Sequence, residues 1–82
     1  MKKLLLVFGV AEPEDALNTM KELGLEFAIV SRETDLESAC TEVTVETADT
    51  NAFVQKVEDQ SYEFEMLIEI VDIETNESVF EQ

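Results

Sequence analysis

The chain has 82 residues, enough for one domain spanning 1–82, and its 20 acidic against 5 basic side chains give a net charge of −15. A surface this acidic repels nucleic acid and anionic membranes, so we expect direct binding to neither. The 45% share of hydrophobic residues is sufficient for a folded core and argues against intrinsic disorder.

The charge is concentrated in the later part of the chain. Residues 1–32 carry five acids and four bases, whereas residues 33–82 carry fifteen acids and only Lys56 as a base. The second segment therefore holds −14 of the −15 net charge. We expect its partner to be a basic protein, with a homodimer of this chain as the alternative assembly.

The first third of the chain predicts a strand, a helix and a second strand. The apolar run from Leu4 to Phe8 predicts a central strand over residues 3–9. Pro13, followed by two acids, is typical of a helix start and predicts a helix over 13–23. The next apolar run predicts a strand over 25–30, which the polar residues from 31 onward would end.

The middle of the chain predicts a strand followed by a helix. Residues 41–47 alternate strictly, with valines on one side and threonines or glutamates on the other, which predicts a strand with one solvent-exposed face. Asp49 or Thr50 can cap a second helix over 50–60, because each has a side-chain oxygen that can accept a backbone hydrogen bond.

The last third predicts one long strand over 63–73. Its alternation places Phe64, Ile68 and Ile70 inward and Leu67 outward. Residues 78–82 form either a short strand or an ordered tail.

The element order is strand, helix, strand, strand, helix, strand. This order predicts an α+β, ferredoxin-like βαββαβ fold, in which a four-stranded antiparallel sheet carries both helices on one face. The alternative is a mixed α+β sheet in which the tail adds a fifth strand.

The sequence lacks the residues that common catalytic sites need. It contains no histidine, and the single cysteine, Cys40, has no histidine partner to activate it. With only Gly9 and Gly24, the chain has no glycine-rich phosphate-binding motif. We expect a protein that is not an enzyme, with no catalytic residue, metal site or cofactor. The lone thiol and the absence of a long apolar segment favour a cytoplasmic location.

Two surfaces are candidate interfaces. The acid-rich strands and second helix predict a partner-binding set made of Glu42, Glu46, Glu58, Asp59, Glu63, Glu65 and Glu69. The outward positions of two strands also predict an apolar strip of Leu5, Val7, Leu67 and Val71. Alternatively, Val79 and Phe80 fold back and cover that strip.

In size and charge the chain resembles the small acidic phage proteins that block restriction, CRISPR or transcription enzymes. B-DNA carries one charge per ~1.7 Å of its axis, so the net charge corresponds to about 25 Å of duplex. This resemblance implies an inhibitor or decoy, a DNA mimic that presents carboxylates to a basic nucleic-acid-binding protein.

Two alternatives come from other classes of protein. The βαββαβ order resembles that of ACT-type regulatory domains, which pair through their sheets, and it implies an oligomeric ligand-sensing module. The acidity could instead be an adaptation to a high-salt cytoplasm, in which case the charged surface has no partner.

Overall fold

The computed structural model describes residues 1–82 except Glu65. Its elements are β1 (Lys2–Phe8), α1 (Glu14–Glu22), β2 (Ala28–Asp35), β3 (Cys40–Thr47), α2 (Thr50–Asp59), a 3₁₀ turn (Ser61–Glu63), β4 (Leu67–Asp72) and β5 (Glu77–Glu81). The five strands form one sheet in the order β2-β3-β1-β4-β5, and every neighbouring pair is antiparallel.

The predicted α+β class is confirmed, with two helices and an antiparallel sheet, but the predicted number of four strands is wrong. The tail forms a fifth strand, β5, at the edge of the sheet beside β4. Phe80 lies opposite Ile70 and is only 8% exposed. Burial of this ring stabilises the pairing, and the resulting sheet is antiparallel rather than mixed.

The core lies between one face of the sheet and the two helices. Leu4, Leu6 and Phe8 of β1 are completely buried, because β1 is the central strand and these alternate side chains all point to the same face. The helices and the other strands complete the core with Leu17, Met20, Val43, Val45, Phe53, Val57, Leu67, Ile70 and Phe80.

Both helices have the end signals that the sequence indicates. Glu14 and Asp15 occupy the first turn of α1, where carboxylates interact favourably with the positive end of the helix. Gly24 follows α1 with a φ of +92°, a conformation that glycine adopts without steric cost. Asp49 caps α2 as predicted, since its Oδ1 accepts a hydrogen bond of 3.0 Å from the Ala52 amide.

The predicted position of the second strand, 25–30, is wrong at both ends. Leu25 is buried beneath the end of α1, and its amide donates to the Met20 carbonyl, so β2 begins only at Ala28. The polar residues expected to end the strand continue it to Asp35. A polar sequence is compatible with this position because β2 is an edge strand and is exposed along most of its length.

The predicted strand over 63–73 is shorter in the structure, and its inward and outward positions differ. The register of β4 against β1 shifts between Val7 and Phe8, so Leu67 and Ile70 both face the core, although three positions separate them. Leu67 is fully buried, which excludes it from the predicted apolar strip. Ile68, predicted to face inward, is 40% exposed at this irregularity, as expected for an extra residue in a β-bulge.

Candidate functional site

The candidate site is the sheet face opposite the helices, which we call the open face. The strand registers place Glu33 opposite Glu42, Glu42 opposite Val7, Val7 opposite Glu69, and Glu69 opposite Glu81. These five residues form one line across all five strands, which we call the acidic row. Four of its five members are glutamates, and none is basic.

A neutral row lies next to the acidic row. It crosses the sheet through Ser31, Thr44, Leu5, Val71 and Ser78. Leu5, Val7 and Val71 are half-buried, so three of the four residues of the predicted apolar strip lie together on this face. The alternative that Phe80 covers the strip is wrong, because its ring belongs to the core on the opposite side of the sheet.

The acidic row brings like charges together. Glu33 and Glu42 are directly opposite each other on neighbouring strands, and so are Glu69 and Glu81. Side chains at such positions have Cβ atoms about 4.5–5.5 Å apart, and like charges there are destabilising. The arrangement therefore has an electrostatic cost that other features of the fold must offset.

The basic side chains do little to neutralise this row. Among the described residues, the one ion pair within 4 Å joins Arg32 to Glu14. Lys56 donates to the Gly24 carbonyl at 3.0 Å, and the Lys21 ammonium lies 5.2 Å from the centre of the Phe27 ring. Lys3 is on the open face, but it lies opposite Glu46, outside the acidic row.

The Arg32–Glu14 pair lies on the helix side of the sheet. The hydrogen bond from Arg32 lowers the pKa of Glu14 below its ordinary value of 4.5, and the positive charge of the guanidinium contributes in the same direction. Arg32 Nη2 also lies 3.4 Å from the Ala11 carbonyl oxygen. The pair thus connects the edge strand β2 to the start of α1.

A depression of about 790 Å³ lies beside the β2–β3 hairpin at one end of the acidic row. Its lining includes four acidic residues and the half-buried Cys40, and the four are Glu33, Asp35, Glu37 and Glu42. The thiol of Cys40 lies 3.6 Å from the Ser38 carbonyl oxygen, to which it can donate. The β2–β3 end of the acidic row is therefore continuous with the carboxylates of the hairpin.

The predicted partner-binding residues lie on two sides of the molecule. Glu42, Glu46 and Glu69 are on the open face, and Glu46 faces Lys3. The other described members of the set, Glu58, Asp59 and Glu63, lie on α2 and the 3₁₀ turn. Glu65 lies outside the described residues.

The sequence reasoning missed Glu33 and Glu81, which complete the acidic row. Glu33 falls in the polar stretch predicted to end the second strand, and Glu81 falls in residues 78–82, predicted as a short strand or an ordered tail. The signal that identifies Glu33 is that the two strands of a hairpin pair residue by residue on both sides of the turn. A strand that pairs with residues 41–47 through a short turn must include the residues just before that turn.

Among the described residues there is no group of three or more acidic or cysteine side chains arranged to hold a metal ion. No helix in the described part of the chain is both long and apolar enough to cross a membrane. In comparisons with known proteins, no family model, curated protein or solved structure matches this chain. Function is therefore inferred from the open face itself.

Proposed function

We propose that the protein is a non-enzymatic acidic binding protein that presents its open face to a basic nucleic-acid-binding protein, as an inhibitor or decoy of the DNA-mimic type. The observation that carries this proposal is the acidic row, in which Glu33, Glu42, Glu69 and Glu81 share one line across the sheet. A decoy of this type needs ordered carboxylates on one face, and the strand register supports such an order.

The dimensions of the molecule are suitable for mimicry. Its longest dimension is 33 Å, and that length of B-DNA carries roughly 19 phosphate charges. The chain has 20 acidic side chains. Strands about 4.8 Å apart place the outer glutamates of the acidic row roughly 19 Å from each other.

The same row argues against the ACT-like alternative. The element order up to β4 favours a ferredoxin-like fold with β5 as an added edge strand, so the comparison with sheet-paired regulatory domains is reasonable at the level of topology. Pairing two open faces would bring two acidic rows into contact, and repulsion between like charges in a desolvated interface is costly. A basic partner avoids that cost.

The proposal is tested with two variants that remove the same number of charges. The open-face variant is Glu33→Gln, Glu42→Gln, Glu69→Gln and Glu81→Gln. The helix-side variant is Glu12→Gln, Glu22→Gln, Glu58→Gln and Glu63→Gln, at positions that are all exposed. Each immobilised protein is used to capture basic proteins from a bacterial lysate, with and without competing duplex DNA.

The proposal predicts that the wild-type protein and the helix-side variant retain a nucleic-acid-binding protein that duplex DNA displaces. The open-face variant should lose this protein. Equal capture by the two variants would show that only net charge matters and would contradict the proposal. Capture that duplex DNA does not reduce would exclude mimicry of nucleic acid.

A further inference from the structure

The outer edge of β2 is open along the strand. Within the described part of the chain, β2 pairs only with β3, so the N–H and C=O groups on its other side have no strand partner. The opposite edge of the sheet, β5, is five residues long and has an irregular register, two features that protect an edge. β2 has eight residues and is the longer free edge.

Apolar side chains are exposed along this edge. Ile29 and Val30 are each 47% exposed, and they follow the exposed Ala28. The register of β2 against β3 passes from Ile29 directly to Ser31, which leaves Val30 without a partner in β3. A strand placed beside β2 could cover these side chains.

The charges around the β2 edge determine which kind of strand could pair with it. Glu26 precedes β2, Glu33 and Asp35 lie within it, and Glu37 follows in the hairpin turn. The one base in β2, Arg32, is paired with Glu14. A second copy of this chain, with its own net charge of −15, is therefore a poor occupant, whereas a strand rich in lysine or arginine is complementary.

We propose that the β2 edge accepts an extended, basic segment of the partner protein as a sixth strand. Backbone hydrogen bonds to β2 would provide affinity, and basic side chains of the segment would lie beside Glu33 and the hairpin carboxylates. This inference depends on the proposed function for the sign of the partner's charge. The inference adds to that function the element through which the partner binds, the β2 edge.

The test uses a synthetic peptide of roughly nine alternating lysine and valine residues, a typical strand length, with blocked ends. A control peptide has the same side chains but carries N-methyl groups on its central amides, which removes the donors and keeps the charge. The 82-residue protein is titrated with each peptide. Affinity and amide hydrogen exchange are measured residue by residue.

We expect the unmodified peptide to slow amide exchange within Ala28–Asp35 and the N-methylated peptide to bind at least about tenfold more weakly, since one to two hydrogen bonds account for that ratio. Two variants at Val30 provide a test on the protein side. Val30→Pro should weaken peptide binding, and Val30→Thr should retain it. Proline is tolerated at bulges and edges, and Val30 has no β3 partner that the substitution would remove.

Equal binding of the two peptides, with no protection of β2, would overturn the strand-addition inference. If the peptides then bind the helix-side variant and not the open-face variant, the acidic-face proposal stands without the edge. If neither peptide binds even at low salt, the acidic-face proposal fails as well. A dimer of the protein alone that protects Ala28–Asp35 would assign the edge to a second copy and would also overturn the inference.

Discussion

Thr41 is a polar residue with no solvent exposure, and its hydroxyl connects three segments of the chain. The hydroxyl donates to the Ala11 carbonyl at 3.0 Å and lies 3.1 Å from the Thr34 hydroxyl. We expect Thr41→Val, which keeps the shape of the side chain, to lower the free energy of unfolding by about 1–2 kcal/mol, because buried polar partners lose their hydrogen bond.

Urea unfolding of the Thr41→Val protein measures this loss, and Thr44→Val is its control. Thr44 is on the same strand but faces the open side of the sheet and is only half-buried. Valine suits an exposed strand position at least as well as threonine, so this variant should be as stable as the wild type. Equal losses in the two variants would mean that the hydroxyl network around Thr41 contributes nothing specific.

Glu14 makes stability dependent on pH in the acidic range. Its folded-state pKa is lowered, first by the hydrogen bond from Arg32, so its contribution is fully present above its ordinary pKa of 4.5. That contribution disappears as the pH falls through the lowered folded-state value. We expect Glu14→Gln to be less stable than Glu12→Gln near neutral pH, and the difference to vanish in strong acid.

Glu12→Gln is a suitable reference because it removes the same charge from an exposed neighbouring position that does not contact Arg32. Urea unfolding of both variants is followed from neutral pH down through the range below 4.5. A difference that remains constant over the whole range would show that the carboxylate of Glu14 is not the group responsible.

β5 links the end of the chain to the core. The Phe80 ring is buried, and the Gln82 side chain, just after the strand, donates to the carbonyls of Phe64 and Leu67 at 2.7 and 2.8 Å. We expect Phe80→Ala to lower the free energy of unfolding by about 3 kcal/mol, a large share of what a small domain has. Thermal and urea unfolding measure the loss.

Ser78→Ala is the control for β5, because Ser78 belongs to the same strand and faces the open side. It should change stability little. If Phe80→Ala unfolded with wild-type stability, β5 would be a dispensable addition to the sheet.

The success of sequence-based prediction differed between the strands for physical reasons. β1 and β3 lie in the interior of the sheet, so their burial patterns are strong and their bounds were predicted within one residue. The edge strand β2 buries almost nothing, and its polar second half therefore resembles a loop. In β4, the prediction that every second side chain faces the core is wrong at Ile68. A bulge adds one residue there, so the alternation of inward and outward side chains does not continue across it.

The candidate site was less predictable than the fold. Composition showed that the later part of the chain is acidic, but the acidic row depends on how five strands align. Glu33 and Glu81 come from the edge strands, the two strands whose sequences carry the weakest signals. Which carboxylates share a face is a property of register, and register depends on contacts between distant parts of the chain.

Considered as one charged body, the molecule should become more stable as salt is added. The screening length falls from about 30 Å at 0.01 M to about 8 Å at 0.15 M, so most of the fifteen net charges stop repelling one another. Directly opposed residues such as Glu33 and Glu42, whose Cβ atoms are typically about 5 Å apart, still interact at 0.15 M because screening acts weakly over so short a distance. The destabilisation that charge repulsion causes should therefore depend on where the acidic side chains lie as well as on how many there are.

The open-face and helix-side variants separate these two contributions, since each removes four negative charges. We expect the open-face variant to gain about 1 kcal/mol more in the free energy of unfolding, because it relieves two directly opposed glutamate pairs. Urea unfolding at about 0.01 M and about 0.15 M salt makes the comparison, and the gap between the variants should persist at the higher concentration. Equal gains in the free energy of unfolding would mean that the four glutamates of the acidic row destabilise the fold no more than four negative charges elsewhere. A larger gain would show that the natural row reduces stability, as expected of residues retained for binding rather than for folding.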